Sequence, residues 1–221
     1  MNYFVTGTDT NIGKTLISCA LLHCFAAQGK RVIGMKPIAA GCNDDGQNED
    51  VLQLRAAGNV AVGYGQINPY SFLPAIAPHI AAQRTGVIID LSVVAKSYQE
   101  LAAQADVVIV EGVGGFRVPL NAQQDSADLV VELGLPVILV VGMRLGCLNH
   151  ALLTVEAITA RGLTLAGWVG NVVDADMTLV EENISALRQR IAAPLLGIVS
   201  FMTPPDSRVA ARQLDLDCLE P

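Results

Sequence analysis

The chain is poor in the features that would tie it to a disulfide framework, a zinc site, a membrane or a nucleic acid. Its five cysteines (Cys19, Cys24, Cys42, Cys147 and Cys218) are odd in number and form no CxxC pair, which points to reduced thiols in a cytoplasm. Three scattered histidines offer no metal-ligand spacing. Charged residues make up 16% of the chain and give a formal net charge of -7, with no cluster of Lys and Arg to meet phosphates. That speaks against nucleic acid as a partner. The apolar run Leu135 to Met143 is far below the roughly 18 residues of a membrane span. Ala56 to Gln83 lacks Asp, Glu, Lys and Arg, but Gly, Pro, Asn and Gln interrupt it. The N-terminus reads as a strand with no basic or apolar leader, so no signal peptide and a cytoplasmic protein are expected. Asn183-Ile184-Ser185 then reads as a chance match to a glycosylation acceptor.

What is present is apolar sequence in alternating elements. Apolar residues reach 52%, which suits a sheet covered on both faces or a buried subunit interface. The 221 residues fit one α/β domain. Strands are expected at Tyr3–Thr6, Arg31–Met35, Asp106–Val110, Pro136–Val141, Leu165–Val169 and Leu195–Val199. Helices are expected at Thr15–Ala27, Asn48–Ala57, His79–Gln83, Leu91–Gln104, Ser126–Leu133, Asn149–Ala160 and Met177–Ile191. Gly58 to Pro78 reads as irregular, and the tail from Pro204 as charged surface. The order predicts a mostly parallel sheet with helices on both faces, which the phosphate loop at Gly7 to Thr15 makes P-loop NTPase-like.

The strongest local signal is Gly7-Thr8-Asp9-Thr10-Asn11-Ile12-Gly13-Lys14-Thr15, lying between a strand and a helix. Glycines let backbone N–H groups converge on phosphate oxygens, and the helix adds its positive end. Lys14 would reach the β- and γ-phosphates, and the Thr15 hydroxyl would ligate Mg²⁺. Five residues separate Gly7 from Gly13, one more than in the common motif. Glu111 ends a buried strand and precedes Gly112, Gly114 and Gly115, so it points into the ligand crevice of an open α/β sheet. There it is placed to hold Mg²⁺, the alternative being a solvent-facing loop acid. Lys36, held extended by Pro37, leaves its strand toward the same crevice, where a lysine would stabilise a transferring phosphoryl group. Spacing alone leaves Lys36 open to a surface role and favours Asp50 as a helix-start charge.

Together these segments resemble dethiobiotin synthetase. The match runs through Phe4 to Thr10 with Gly13-Lys14-Thr15, Lys36-Pro37, Val110 to Gly115, Pro136 to Gly142, Leu145 to His150, Ala166 to Val169 and Pro194 to Gly197. The longer phosphate loop is typical of that family. The resemblance implies that 7,8-diaminononanoate, CO₂ and ATP give dethiobiotin, ADP and phosphate, through a carbamate and its phosphorylated anhydride. It implies that Asn11, Ile12, Gly13, Lys14, Thr15 and Leu16 contact nucleotide phosphates, and that Thr15, Asp50 and Glu111 hold Mg²⁺. Gly112, Val113 and Gly114 would border the nucleotide, with Asn171 and Val172 and then Ser200, Phe201 and Met202 around adenine and ribose. Lys36 becomes the catalytic lysine. Thr10, Ala40, Lys14 and Lys36 would line the diamine, with Leu148 and Asn149 from the partner of a homodimer meeting its carboxylate, and Asn149 as helix N-cap.

Four positions depart from the family pattern: Asn11 for glutamate, Ala40 for serine, Val172 for an acid and Ser200 for a proline. They imply altered diamine affinity or a loosened nucleotide preference, with the chemistry intact. His23, His79, His150 and Cys147 are assigned no chemistry, and Trp168 is expected in the core. Two other readings are a partitioning-type P-loop ATPase and a non-catalytic nucleotide-binding relative. The first is disfavoured by the lack of a lysine between Gly7 and Ile12, the second by intact Lys14, Thr15, Lys36 and Glu111.

Overall fold

The computed structural model describes residues 1–219. In chain order the elements are β1 (Asn2–Gly7), α1 (Lys14–Ala27), β2 (Val32–Met35), β3 (Ile38–Ala40), α2 (Glu49–Ala57), α3 (Tyr64–Ile67), β4 (Tyr70–Phe72), α4 (Pro78–Thr85) and α5 (Leu91–Ala102). There follow β5 (Val107–Glu111), α6 (Ser126–Leu133), β6 (Val137–Met143), α7 (Cys147–Ala160), β7 (Leu165–Val172), α8 (Val180–Arg188), β8 (Leu195–Val199) and α9 (Ser207–Ala211), with a 3₁₀ turn at Asp217–Leu219. Six strands form one parallel sheet in the order β2-β5-β1-β6-β7-β8.

Alternation along these strands sends side chains to two cores, as a sheet covered on both faces requires. Tyr3, Val5, Val107, Ile109, Ile138 and Val140 pack with α1 on one face. Phe4, Val108, Val110 and Val137 lie on the other with residues of α5 and α6, and Leu139, Val141 and Trp168 continue that face under α7 and α8. Because β1 is flanked by β5 and β6, the chain leaves it in opposite directions on its two sides. The carboxyl ends of β2, β5, β1, β6 and β7 therefore open onto one crevice, the usual ligand position in such sheets.

Several expectations need correction. The stretch read as irregular holds α3 and β4, and β4 pairs in parallel with β3 as a second, two-stranded sheet. Three-residue strands flanked by Pro and Gly carry too little periodicity to be seen in sequence. Helix α7 starts at Cys147, two residues before the expected position. Gly146 adopts a left-handed conformation (φ 93°) that turns the chain early, so it is the N-cap and Asn149 is not. The tail is more than surface, since Ala210, Leu216 and Leu219 pack into the α1 core. Its last two residues, 220 and 221, lie outside the described residues. Among the described residues, no helix is long and apolar enough to cross a membrane.

Candidate active site

The turn after β1 is built to present backbone N–H groups. Helix α1 begins at Lys14 on Gly13, and no side chain caps it. Its first amides therefore stay free for a ligand, with the positive end of a 14-residue helix behind them. Gly13 has φ 82°, and a Cβ there would stand 2.2 Å from Asn171 Nδ2, so two independent constraints require glycine. Gly142 leaves room for Ile12, whose Cγ2 would lie 2.4 Å from a Cβ at that position. Asn11 is also left-handed (φ 58°), a conformation that Asn tolerates better than most residues.

Lys14 is buried, and its Nζ donates to the Asp9 carbonyl at 2.7 Å. Burial, reinforced by the positive charge of Lys36, lowers its pKa to about 8. The Asp9 carboxylate receives the Thr10 N–H at 2.7 Å and pairs with Arg144 at 2.5 Å. Asn171 Nδ2 donates to the Ile12 carbonyl at 2.8 Å. The loop is thus tied to the ends of β6 and β7 as well as to its own strand.

Beneath the loop, Lys36, Asp50 and Glu111 converge from three elements. Lys36 Nζ lies 2.5 Å from Glu111 Oε1 and 2.9 Å from Asp50 Oδ2, while Thr15 Oγ1 donates to the same Glu111 oxygen at 2.9 Å. Glu111 is fully buried and Lys36 nearly so. Burial alone would depress the Lys36 pKa, but the two carboxylates outweigh it and hold the pKa above its ordinary value. Asp50 is opposed by burial in the same way, and the Lys36 charge brings its pKa below the usual carboxylate range. The surface reading of Lys36 and the solvent-facing reading of Glu111 are thereby excluded. Thr15, Asp50 and Glu111 together could hold a divalent cation.

The end of α3 and the residue after it, in the stretch read as irregular, are what aim Lys36. Its N–H donates to the Ile67 carbonyl at 3.0 Å, and buried Asn68 donates to its carbonyl at 2.6 Å. Asn48 caps α2 by accepting the Asp50 N–H, and its side-chain N–H₂ donates to the Ala40 carbonyl, fixing where Asp50 starts. Asn48, Asn68, Asp9 and Arg144 were all passed over in the sequence. Only the isolated Asp9 within a phosphate loop gave a signal that a cation must face it.

The remaining expected positions spread along the crevice rim. Gly112, Val113 and Gly114 form the turn leaving β5, and the Gly112 N–H donates to the Val5 carbonyl. Val172 ends β7, beside Asn171. Asn171 pairs in register with Val199, so Ser200, Phe201 and Met202 leave the adjacent strand end, with Phe201 half-exposed. Thr10 stands near Gly114. Leu148 and Asn149 lie in the first turn of α7 and make no hydrogen bond to Lys14, Lys36 or Glu111. Cys19, whose thiol is pushed up to about 12 by burial, is no nucleophile at neutral pH. His23 faces Ser207, and Cys147 is buried.

Residues 1–207 match the family model described as an AAA domain. The chain is 56% identical to the ATP-dependent dethiobiotin synthetase BioD of Nitrosospira multiformis, over 97% of this chain and 94% of that protein. Identity to the protein of the same name from Aromatoleum aromaticum is also 56%, covering 97% and 96%, and to that of Ralstonia nicotianae 53%, covering 96% and 94%. Among solved structures it resembles the MinC:MinD cell division protein complex of Aquifex aeolicus (15% identity, TM-score 0.56, 98% of this chain and 87% of that one). It also resembles a ParA family ATPase from Chlorobium tepidum (11%, 0.53, 96% and 90%). At such identities these structures share the fold and nothing finer.

Proposed function

The chain belongs to the ATP-dependent dethiobiotin synthetase family, and from that premise we propose that it closes 7,8-diaminononanoate and CO₂ into dethiobiotin at the expense of ATP. The observation that carries this reading is the meeting of Lys36, Asp50 and Glu111 beneath an uncapped helix start. The whole chain is read as a single P-loop ligase domain.

One amine of the diamine captures CO₂ as a carbamate, and a carbamate oxygen attacks the γ-phosphorus of ATP, releasing ADP. The second amine then attacks the carbonyl carbon of the mixed anhydride and expels phosphate, closing the urea ring. This chemistry asks the protein for positioning and for positive charge near oxygens that accumulate negative charge. The free amides of Asn11 to Leu16 cradle the phosphates, and Lys14 leaves the Asp9 carbonyl to meet them. Lys36 stabilises the carbamate and the transferring phosphoryl group. Thr15, Asp50 and Glu111 form an all-oxygen donor set that suits Mg²⁺, which takes one or two carboxylates with phosphate oxygens and water. Glu111 Oε2 is buried with no hydrogen-bond partner, so it has acceptor capacity to spare. When bound there, Mg²⁺ would neutralise negative charge on the nucleotide phosphates.

Adenine and ribose lie against Asn171, Val172 and Ser200 to Met202. A homodimer is supported by α7, an apolar helix in which only Cys147, Ala151 and Ile158 are buried, and by Leu145 beside it, 97% exposed. The start of α7 also has no side-chain cap, so the amides around Leu148 and Asn149 suit the diamine carboxylate of the partner's site. Ala40 offers no hydroxyl there, consistent with weaker diamine binding.

The test is incubation with Mg-ATP, bicarbonate and diamine. Phosphate release should depend on the diamine, with a product of the mass of dethiobiotin. Equal release without the diamine overturns the reading. A pH titration tests Lys14. Phosphates favour its ammonium form, so its pKa in the complex lies above the value near 8 of the free site. Binding then takes up a proton at higher pH, and nucleotide affinity, level between about pH 7 and 8 where the phosphates are already ionised, falls by up to about tenfold per pH unit above it. Calorimetry with ADP should show this slope and lose it in Lys14→Met. A flat profile to pH 9.5 in the unmodified protein removes the link.

A further inference from the structure

We propose that Lys36 has a second function: its ammonium is a resident counter-ion inside the divalent-cation site, and it keeps free metal out until a nucleotide arrives. The proposal rests on the reading of Thr15, Asp50 and Glu111 as the metal's ligands. Lys36 Nζ contacts Glu111 Oε1 and Asp50 Oδ2 at 2.5 and 2.9 Å, and Thr15 Oγ1 reaches the same Glu111 oxygen at 2.9 Å. An ion ligated by those two carboxylate oxygens needs the position that the ammonium now fills.

The charges explain why Lys36 sits there and when it leaves. Glu111 is 0% exposed, and a carboxylate so far from water needs a cation beside it. With Lys14 and Lys36 facing Asp50 and Glu111, positive and negative charges in the crevice balance. A bare divalent ion would add two positive charges beside two buried ammonium groups, where repulsion is poorly screened. A nucleotide brings more negative charge than its metal carries. Lys36 can then turn toward phosphate oxygens while the metal takes over Glu111, whose Oε2 already lacks a partner. Metal and nucleotide therefore bind together, and metal alone binds poorly.

Mn²⁺ binding followed by water-proton relaxation tests this. The unmodified protein should hold Mn²⁺ only weakly by itself and tightly with ADP. Lys36→Met should bind Mn²⁺ without nucleotide at least about tenfold more tightly than the unmodified protein, because the competing charge is gone. Its melting temperature without metal should fall by at least about 5 °C, since Glu111 has lost its counter-ion, and Mn²⁺ should restore it. Lys36→Arg, which keeps the charge, should still exclude free Mn²⁺ and serves if Lys36→Met does not fold. Tight Mn²⁺ binding by the unmodified protein alone, no gain in Lys36→Met, or tight binding by Lys36→Arg overturns the proposal. Glu111→Gln separates it from the reading beneath it. Undiminished Mn²⁺ binding by Glu111→Gln with ADP would mean the metal lies elsewhere. Loss of that binding, with no gain in Lys36→Met, would leave the site standing and remove only the counter-ion role.

Discussion

Lys36→Ala should lower the turnover of diamine-dependent phosphate release by about 10²–10³-fold, the range seen when one preorganised charge or donor is removed from a transition state. Nucleotide affinity should change by less than about tenfold. The asymmetry follows from where the side chain is held. In the proposed reading, phosphates in the ground state meet the uncapped start of α1 and Lys14, whose ammonium now rests on the Asp9 carbonyl of the loop. Lys36 comes from beneath, from the end of β2, and its backbone is fixed on both sides by Ile67 and Asn68. On the proposed mechanism it would contribute most where negative charge develops on the carbamate and phosphoryl oxygens. Lys36→Arg, which keeps the charge, should restore turnover only in part, because a planar guanidinium does not reproduce the compact ammonium's contacts with Glu111 and Asp50. Turnover measured beside a nucleotide dissociation constant decides the matter. Equal losses in both would make Lys36 a simple phosphate ligand, and unchanged turnover would remove its role.

The convergence of the site was legible in sequence wherever a residue's position follows from a strand end or a helix start. Lys14, Thr15, Lys36 and Glu111 each directly follow or end an apolar strand or open a helix, and the structure brings all four together. Asp50 was not readable in that way. Alone it is an acid in the first turn of α2, and only the fold shows that this turn faces β5. The supports were hidden for a different reason. Asn68 lies 32 residues from the carbonyl it holds, in a stretch whose one strand, of three residues, leaves no periodic pattern. Arg144 lies 135 residues from Asp9. Polar residues in loops are abundant, and nothing local distinguishes one that braces a site from one that meets water.

The fold was more legible than the site because its signals are long. The buried strands read as apolar runs, and parallel pairing followed from strand–helix alternation. Boundaries failed where a single backbone angle decides them. Gly146 in the left-handed region starts α7 early, and Leu179, itself left-handed (φ 56°), delays α8 to Val180. Neither angle can be read from residue identity alone.

Trp168→Ala should destabilise the protein by about 3–5 kcal/mol, the usual cost of emptying a large buried side chain. For a chain of this size that is roughly 6–20 °C in melting temperature. Trp168 is fully buried on β7, paired in register with Leu139 and Leu195 and enclosed by α7 and α8. Its indole N–H has no hydrogen-bond partner, which is itself a cost in the native state. Trp168→Phe removes that unpaired donor along with part of the ring, so the two effects oppose each other and the loss should be less than half that of alanine. The same strand carries Asn171, three residues on, whose amide holds the phosphate loop at Ile12. Loosening β7 should therefore weaken ADP binding in Trp168→Ala even at temperatures where the protein is folded. Trp168 is the only tryptophan, so unfolding of the variants must be followed by circular dichroism in urea. A phenylalanine variant as unstable as the alanine one would show that packing alone decides the site and that the orphaned N–H costs nothing.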